Sequence, residues 1–117
     1  MTHYARGANF ERQVKGEWEG AGYFVARCAG SHGVADLVAV ALVSVDGCCR
    51  RVYFIQCKTG GALSRTDWNA LYAMAERHGA IPVLAYREKR KHVYARLTKC
   101  WTKRNRPKDG MEAICLK

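Results

Sequence analysis

Residues 34–58 read VADLVAVALVSVDGCCRRVYFIQCK and predict the central hairpin of the fold. Residues 34–43 are apolar and rich in β-branched side chains, and Asp36 is the one charged residue among them. Residues 51–58 are apolar until three polar or soft side chains close the run. Continuous apolar runs of this kind are typical of strands buried on both faces. Polar groups at the ends of two such strands need a reason, because burying them unpaired is costly.

The turn between the two strands sets which of these groups meet. Residues 45–47, Val-Asp-Gly, fit a three-residue hairpin loop whose glycine is left-handed. Asp36 then lies opposite Gln56 with Cβ atoms roughly 5 Å apart, and Lys58 follows on the same face. A two-residue Asp-Gly turn would place Asp36 opposite Cys57 instead. We predict the three-residue loop, because it gathers the carboxylate, the amide and the ammonium on one face.

Length and composition predict a single domain. A chain of 117 residues suffices for one hydrophobic core and is too short for two. It is 49% hydrophobic and 26% charged, so it should fold. No run approaches the ~20 apolar residues of a membrane helix, and the first six residues carry no signal-like apolar core. We expect no membrane partner and an intracellular, cytoplasmic protein, in the host cytoplasm if the source is a virus.

The six cysteines predict free thiols. No Cys-x-x-Cys pair occurs, so a structural zinc site has little support. An intracellular protein also rarely carries a disulfide framework. Vicinal Cys48 and Cys49, beside the predicted turn, do not make a site by themselves, and we expect several of the thiols to be small buried hydrophobic groups.

The net charge of +10 lies mostly in the second half of the chain. Residues 1–58 carry seven Lys/Arg and five Asp/Glu, whereas residues 59–117 carry thirteen and five. Residues 87–108 alone hold ten basic residues and one acid. This concentration predicts a polyanion partner such as nucleic acid. The alternative is a solvated basic surface without a specific partner.

The rest of the chain predicts two helices and further strands. Asn9 is a candidate N-cap, and Phe10, Val14 and Trp18 recur on one helical face that Gly22 can end. Strands are predicted over residues 23–28, 81–86 and 91–97, with residues 87–90 as a turn, residues 98–110 as a loop and residues 111–116 as a candidate edge strand. Ser64-x-x-Asp67 resembles a capping box that opens the second helix. Helices combined with five strands, or six with the edge strand, define an α/β or α+β sheet covered by helices.

The polar cluster of the hairpin has two interpretations. Aspartate and glutamine oxygens are hard ligands that suit Mg²⁺ or Mn²⁺ better than zinc, and the basic second half would hold a phosphodiester backbone. The alternative is an Asp36–Lys58 ion pair that closes a sheet end, with Gln56 as a bystander. Glu11 likewise has a structural alternative, in which it favours the helix dipole and pairs with Lys15.

Four short motifs in this order resemble the archaeal-type Holliday junction resolvases of the PD-(D/E)xK nuclease superfamily. They are Asn9-Phe10-Glu11-Arg12, Ala29-Gly30-Ser31-x-Gly33, Ala35-Asp36-Leu37-Val38-Ala39 and Ile55-Gln56-Cys57-Lys58. The resemblance covers about residues 6–97. It implies a restriction-endonuclease-like mixed α/β sheet flanked by helices, in one nuclease domain over residues 1–117 with a basic extension from residue 98.

The resemblance also implies an activity and site residues. The protein would be a metal-dependent, homodimeric endonuclease that cuts four-way DNA junctions, with Mg²⁺ or Mn²⁺ and no small-molecule cofactor. Glu11, Asp36, Gln56 and the Cys57 carbonyl would hold the metal, Lys58 would orient or activate the attacking water, and Ser31 would lie near the scissile phosphate. The expected DNA contacts are Arg6, Arg12, Arg27, His32, Arg65, Lys89, Arg90 and Lys91.

Two departures from the family pattern leave alternatives open. Ala35 replaces the proline of the superfamily name, which concerns backbone preference. Gln56 replaces the usual glutamate, which removes one negative charge from the metal site. The alternatives are a nicking or restriction-like nuclease of the same superfamily that acts on duplex DNA, and an inactive basic nucleic-acid-binding module. Glu11 argues against the inactive module, since that module has no need of a second acid beside Asp36.

Overall fold

The computed structural model of the chain describes residues 3–28, 34–41, 51–60 and 63–116, with the side chains of the first helix from residue 7 onward. Its elements in chain order are α1 (His3–Gly20), β1 (Tyr23–Arg27), β2 (Leu37–Ala41), β3 (Val52–Lys58), α2 (Arg65–Arg77), β4 (Ile81–Glu88), β5 (Lys91–Leu97) and β6 (Met111–Ile114). No helix in these ranges is both long and apolar enough to cross a membrane.

The strands form one mixed six-stranded sheet in the order β1-β2-β3-β4-β5-β6. Only β3 and β4 pair in parallel, and α2 provides the crossover between them, whereas the other neighbours are antiparallel. The predicted edge strand is therefore present as β6. The α/β class and the mixed sheet flanked by helices are confirmed.

The two helices cover opposite faces of the sheet. Phe10, Val14 and Trp18 of α1 are fully buried against Leu37 and Ile55 in one core cluster. The indole of Trp18 also meets tyrosine rings from three strands at centroid distances of 4.8–5.5 Å.

The second core cluster lies on the other face. It includes Trp68 and Leu71 of α2, together with Leu84, Leu97 and Ala35. Alternate residues of the central strands therefore serve two cores, which explains why their sequences are apolar throughout.

The register of the central hairpin agrees with the three-residue loop. Leu37 pairs with Ile55 and Val40 with Val52, so the next pair in this series would be Asp36 with Gln56. The turn itself, with Cys48 and Cys49, lies outside the described residues.

Helix α1 begins earlier than predicted. Asn9 lies inside the helix, and its Oδ1 accepts a hydrogen bond from Nη1 of Arg12 at 3.2 Å. The N-cap prediction was therefore wrong. By contrast, Oγ of Ser64 accepts from the Asp67 backbone N–H at 3.1 Å, so the predicted start of α2 at Ser64 is confirmed and Ser64 is its N-cap.

The β4–β5 turn is tighter than predicted. Only Lys89 and Arg90 connect the strands, and both have positive φ angles, 50° and 67°. Two left-handed residues are the signature of a type I′ turn, which asparagine and glycine adopt at lower cost. The turn therefore holds two cationic side chains at an exposed tip in a backbone conformation that neither residue type prefers.

Candidate active site

Asp36 is anchored where β2 and β3 meet. Its carboxylate Oδ2 accepts a hydrogen bond from the backbone N–H of Cys57 at 2.8 Å, and its own N–H donates to the Ile55 carbonyl at 2.8 Å. The chain bends at this residue, because Ala35 packs in the α2-side core and Leu37 in the α1-side core. The bend and the two hydrogen bonds fix the carboxylate at the strand end.

The carboxyl of Asp36 is partly buried. Burial raises its pKa, while the N–H of Cys57 and the charges of Lys58 and Arg27 oppose that shift. The net direction is upward, so ionisation of this carboxyl is penalised. A group in this condition is favourable for binding a cation, since the cation removes the penalty.

Glu11 brings a second carboxylate to Asp36 from the other layer of the fold. It lies in the middle of α1, not in its first turn, so the predicted dipole role is wrong. Burial raises the pKa of Glu11 and the negative charge of Asp36 raises it further. An acid whose affinity for a proton is raised by a second acid on another element forms a common negative site with it.

Glu11 is paired with Arg27 and not with Lys15. Nε of Arg27 donates to Oε2 of Glu11 at 3.1 Å, while Nζ of Lys15 bonds Glu19 at 2.9 Å. The predicted structural role of Glu11 as an i,i+4 partner is therefore wrong. Arg27, which is predicted to contact DNA, pairs with Glu11 and also acts electrostatically on Asp36 in this structure.

The end of β3 supplies the remaining predicted groups. Gln56 and Lys58 are both half-buried, and within the described residues Lys58 forms no ion pair. The alternative of a closed Asp36–Lys58 pair is thus wrong, although the ammonium does lower the pKa of Asp36. An ammonium that acts at a distance, without a carboxylate partner, is available to a substrate.

The backbone carbonyl of Cys57 is a better candidate metal ligand than its thiol. Burial, followed by the charges of Asp36 and Glu11, raises the pKa of the Cys57 thiol. The pKa of Cys28, at the end of β1, is shifted in the same direction for the same reasons. A protonated thiol is a weak metal ligand, so the carbonyl remains the better donor of Cys57. The described cysteines, which are Cys28, Cys57, Cys100 and Cys115, are free.

The donor set fits a hard cation. Carboxylate, amide and backbone carbonyl oxygens are the ligands of Mg²⁺ and Mn²⁺. Among the described residues no group of three or more His, Cys, Asp and Glu side chains could hold a metal ion by itself. A site here would therefore depend on Gln56, on the backbone, on water or on substrate oxygens in addition to Glu11 and Asp36. Magnesium commonly keeps several waters and is completed by phosphate.

The described residues that are predicted to bind DNA differ in exposure and in hydrogen-bond partners. Lys89, Arg90 and Lys91 are exposed at the β4–β5 turn. Arg12 is exposed on α1 and bonds Asn9. Arg65 donates from Nε to the carbonyl of Trp101 at 3.0 Å and from Nη2 to that of Thr102 at 2.7 Å. Its guanidinium thus has a structural role that sequence did not indicate. Ser31, His32 and the side chain of Arg6 lie outside the described part of the chain.

The sequence also missed Arg87, which fastens the β4–β5 hairpin to α1. Its guanidinium lies 5.0 Å from the centroid of the Phe10 ring, and Nη2 donates to Oε1 of Gln13 at 2.6 Å. Both partners flank Glu11 in the sequence, so this contact helps to place Glu11. No spacing rule connects residues 74 positions apart, and the charge run around Arg87 indicated only a solvated or DNA-facing residue.

Together, the mixed sheet, the two carboxylates and the strand-end lysine define the class expected from the motifs, an α/β nuclease. The family model of the archaeal Holliday junction resolvases (Hjc) matches residues 2–107. The chain therefore belongs to this family, and its activity is that of a structure-selective, junction-resolving nuclease.

A solved structure has the same fold. It is the 1.6 Å structure of Hjc from Archaeoglobus fulgidus, described as a Holliday junction resolvase from an archaeal hyperthermophile. It is 26% identical in sequence and superposes with a TM-score of 0.59, covering 76% of this chain and 70% of its own. A search of curated proteins found no match.

Proposed function

We propose that this protein is a Mg²⁺-dependent endodeoxyribonuclease that resolves four-way DNA junctions by paired phosphodiester hydrolysis as a homodimer. One observation carries the proposal. The Asp36 carboxylate, anchored to the Cys57 N–H, shares a common negative site with Glu11. An inactive binding module has no use for two carboxylates that repel both each other and DNA.

The residues of the site have different roles in metal binding and in hydrolysis. Asp36 and Glu11 hold the cation, and Gln56 Oε1 and the carbonyl of Cys57 complete its protein ligands. The ammonium of Lys58 orients the attacking water and stabilises the charge that develops on the phosphate. When bound, Mg²⁺ acts as a Lewis acid toward the phosphate and favours deprotonation of water. Manganese has the same preference for oxygen ligands and should substitute.

Arg27 has two potential partners in this scheme. In the structure its guanidinium neutralises Glu11. Once a cation satisfies Glu11, the same guanidinium is free to donate to a DNA phosphate, which is the role that the sequence predicts. Arg12, Lys89, Arg90 and Lys91 add exposed positive charge, and Ser31, His32 and Arg6 remain predicted contributors.

The dimer follows from the substrate and is supported by one surface. A four-way junction has approximate two-fold symmetry and needs two opposed cuts, while each chain has one site. Among the large hydrophobic residues of the described ranges, Phe24 on β1 is the one whose side chain is exposed, at 60% of its full accessibility. In the β1–β2 pairing, Phe24 lies opposite Val40 and Ala26 lies opposite Val38. These residues are on the same face of the sheet as α2, but α2 packs mainly against β3 and β4. An isologous contact through this apolar strip would bury it.

The domain and its location complete the proposal. We treat residues 1–117 as one nuclease domain, with a core over residues 6–97 and a basic extension from residue 98. The extension contributes β6 to the sheet and packs Trp101 against the α2-side core. Because its substrate is DNA, we place the protein in the cytoplasm, or in the host cytoplasm if it is viral.

The decisive experiment compares two DNA substrates. The purified protein is incubated with a labelled synthetic four-way junction and with a linear duplex of the same sequence, with Mg²⁺ or with EDTA. We expect symmetric nicks in the junction with Mg²⁺, little cutting of the duplex, and none with EDTA. Equal cutting of both substrates would favour the duplex nuclease, and binding without cutting in Mg²⁺ or Mn²⁺ would favour the inactive module.

A further inference from the structure

The segment between β5 and β6, residues 98–110, is here called the basic loop. It carries five basic residues and one acid. Lys99 is neutralised by that acid, since its Nζ lies 2.6 Å from Oδ2 of Asp109. The remaining four cations are exposed and form no ion pair with any carboxylate in the described ranges. They are Lys103, Arg104, Arg106 and Lys108.

Helix α2 clamps the first half of the basic loop. Asn69 makes a reciprocal pair with Trp101, in which Nδ2 donates to the carbonyl at 2.9 Å and Oδ1 accepts from the N–H at 2.7 Å. Nε1 of Trp68 donates to the carbonyl of Lys99 at 2.8 Å. Arg65 adds its two bonds to the carbonyls of Trp101 and Thr102. Five side-chain hydrogen bonds therefore fix the backbone between Lys99 and Thr102, directly before the first of the four cations.

The second half of the loop is closed just as tightly. The hydroxyl of Thr98 donates to the Asp109 carbonyl at 2.9 Å, and the backbone N–H of Thr98 donates to the carbonyl of Gly110 at 2.8 Å. A Cβ on Gly110 would lie 2.8 Å from Cβ of Pro107 and 3.1 Å from the Trp68 ring. The residue must therefore be glycine for this close approach, and the loop is a built structure rather than a loose tail.

The fixed loop surrounds an open cleft of about 510 Å³, and the four free cations line it. Four like charges within six residues repel each other, so the loop holds them together against an electrostatic cost. A row of phosphates would remove that cost with little further ordering of the backbone, because hydrogen bonds already hold the loop on both sides of the cations. The charge, the concave shape and the clamp therefore fit a DNA backbone.

We propose that the basic loop is a second phosphate-binding surface for the junction, separate from the exposed Lys89–Lys91 turn. These two surfaces lie at opposite ends of β5, which begins at Lys91 and ends at Leu97. A seven-residue strand spans about 20 Å, so the two surfaces grip different phosphates. This inference rests on the proposed function for the identity of the ligand.

The test measures how junction affinity depends on salt, in EDTA so that no cutting occurs. The loop variant combines Lys103→Gln, Arg104→Gln and Arg106→Gln, and the turn variant combines Lys89→Gln, Arg90→Gln and Lys91→Gln. Each lost phosphate contact should flatten the log–log slope by about 0.9. We expect each variant to reduce the slope, by up to about 3, and the combined variant to add the two reductions.

A matched control separates contact from net charge. Arg77→Gln removes one exposed positive charge from the last turn of α2, and Arg104→Gln removes one from the loop. Only the loop substitution should change the slope. A second pair tests the clamp, because Asn69→Ala removes two of the five hydrogen bonds that hold the loop while it leaves every charge in place. It should weaken junction binding severalfold with an unchanged slope, whereas Asn105→Ala in the exposed loop should weaken it far less.

The outcomes distinguish this inference from the proposed function. A wild-type protein that cuts the junction in Mg²⁺, and a loop variant that keeps its affinity and slope, would overturn the loop surface and leave the function intact. A wild-type protein that binds but never cuts, with a loop variant of reduced slope, would overturn the function and support the surface. A chain that binds no DNA overturns both. Circular dichroism of each variant confirms that it is folded.

Discussion

Arg27 and Glu11 are joined by a hydrogen-bonded ion pair of 3.1 Å that links the end of β1 to the middle of α1. The pair unites a residue predicted to contact DNA with one predicted to hold metal. Because the guanidinium also lowers the pKa of Asp36, its charge acts on both carboxylates. A bound cation must therefore compete with Arg27 for the same negative charge.

Arg27→Gln should tighten cation binding. Removing one unit charge near a partly exposed site changes the interaction energy by about 1 kcal/mol, which corresponds to roughly a fivefold lower Mg²⁺ midpoint. Calorimetric titration without DNA measures this midpoint directly. Arg51→Gln, which removes an exposed charge next to the other end of β3, is the control and should leave it unchanged. An unaltered midpoint in Arg27→Gln would mean that the ion pair does not compete with the metal.

Asp36→Asn and Lys58→Ala should each abolish cleavage and leave junction binding largely intact. Binding depends on the exposed basic surfaces, whereas hydrolysis depends on the strand ends. We expect a loss of at least about 100-fold in the single-turnover rate, as is usual for groups that act on a proton or a charge in the transition state. Cleavage of a labelled junction and gel-shift affinity are measured side by side. Either variant cutting at the wild-type rate would refute this active site.

Asp36→Asn should also stabilise the metal-free protein at neutral pH. The folded-state pKa of Asp36 is raised above its ordinary value of 3.8, mainly by burial. Its ionised form therefore destabilises the fold at neutral pH, the penalty grows as the pH rises through the folded pKa, and it vanishes below the ordinary value. Asparagine carries no such penalty, and its carbonyl can still accept from the Cys57 N–H.

The melting temperature in EDTA reports this effect. The variant should melt a few degrees above the wild type at neutral pH, and the difference should shrink toward zero near the ordinary aspartate pKa of 3.8. Addition of Mg²⁺ should raise the wild-type melting temperature much more than that of the variant. A variant that melts lower than the wild type at neutral pH would show that the carboxylate is a net stabiliser, in contradiction to its raised pKa.

Gln56→Glu should increase metal affinity. It adds a negative charge at a position that can face the cation, and ligand charge tunes the affinity of oxygen-based sites. We expect roughly a tenfold lower Mg²⁺ midpoint by the same Coulombic reasoning. Asp67→Asn, an exposed acid in the first turn of α2, provides the comparison for a distant charge. An unchanged midpoint for Gln56→Glu would place Gln56 outside the coordination sphere.

Phe24→Glu should convert the dimer to a monomer. The substitution puts a charge in the centre of the apolar strip on β1 and β2, and burial of an unpaired charge is strongly disfavoured. Light scattering at micromolar concentration should fall from about twice the chain mass of 13.1 kDa to a single chain mass. Val40→Ala serves as a mild comparison that retains the dimer. Paired cuts in the junction should become independent single nicks in the monomer.

The features that could be predicted from sequence are those set by local rules. The register of β2 against β3 followed from the period of two along a strand and from the need to gather the polar ends on one face. The start of α2 followed from Ser64 and Asp67, which interact three residues apart. Asp36 acts electrostatically on Glu11 in the structure, and the family motifs predicted a shared site for the two acids, since no spacing rule connects them.

The features that could not be predicted depend on contacts between distant segments. Glu11 was matched with Lys15 because helix geometry offers that partner, yet Arg27 approaches from another element. No spacing rule predicts that the ring of Trp101 meets that of Trp68 at 5.8 Å and is half-buried. No pattern in residues 98–110 indicates that α2 holds them, because the clamp is formed by carbonyl groups that every residue possesses.

In the described sheet, each strand has its sequence neighbours as its spatial neighbours, from β1 to β6. The chain therefore closes mostly short loops as the sheet grows, and the single parallel step is bridged by one helix. Topologies with such local pairing need little search for distant partners and fold quickly for their size. During synthesis on the ribosome, the strand that pairs with each newly emerged strand has already been synthesised. The sheet can therefore assemble in the order of synthesis, with the edge strand β6 added last.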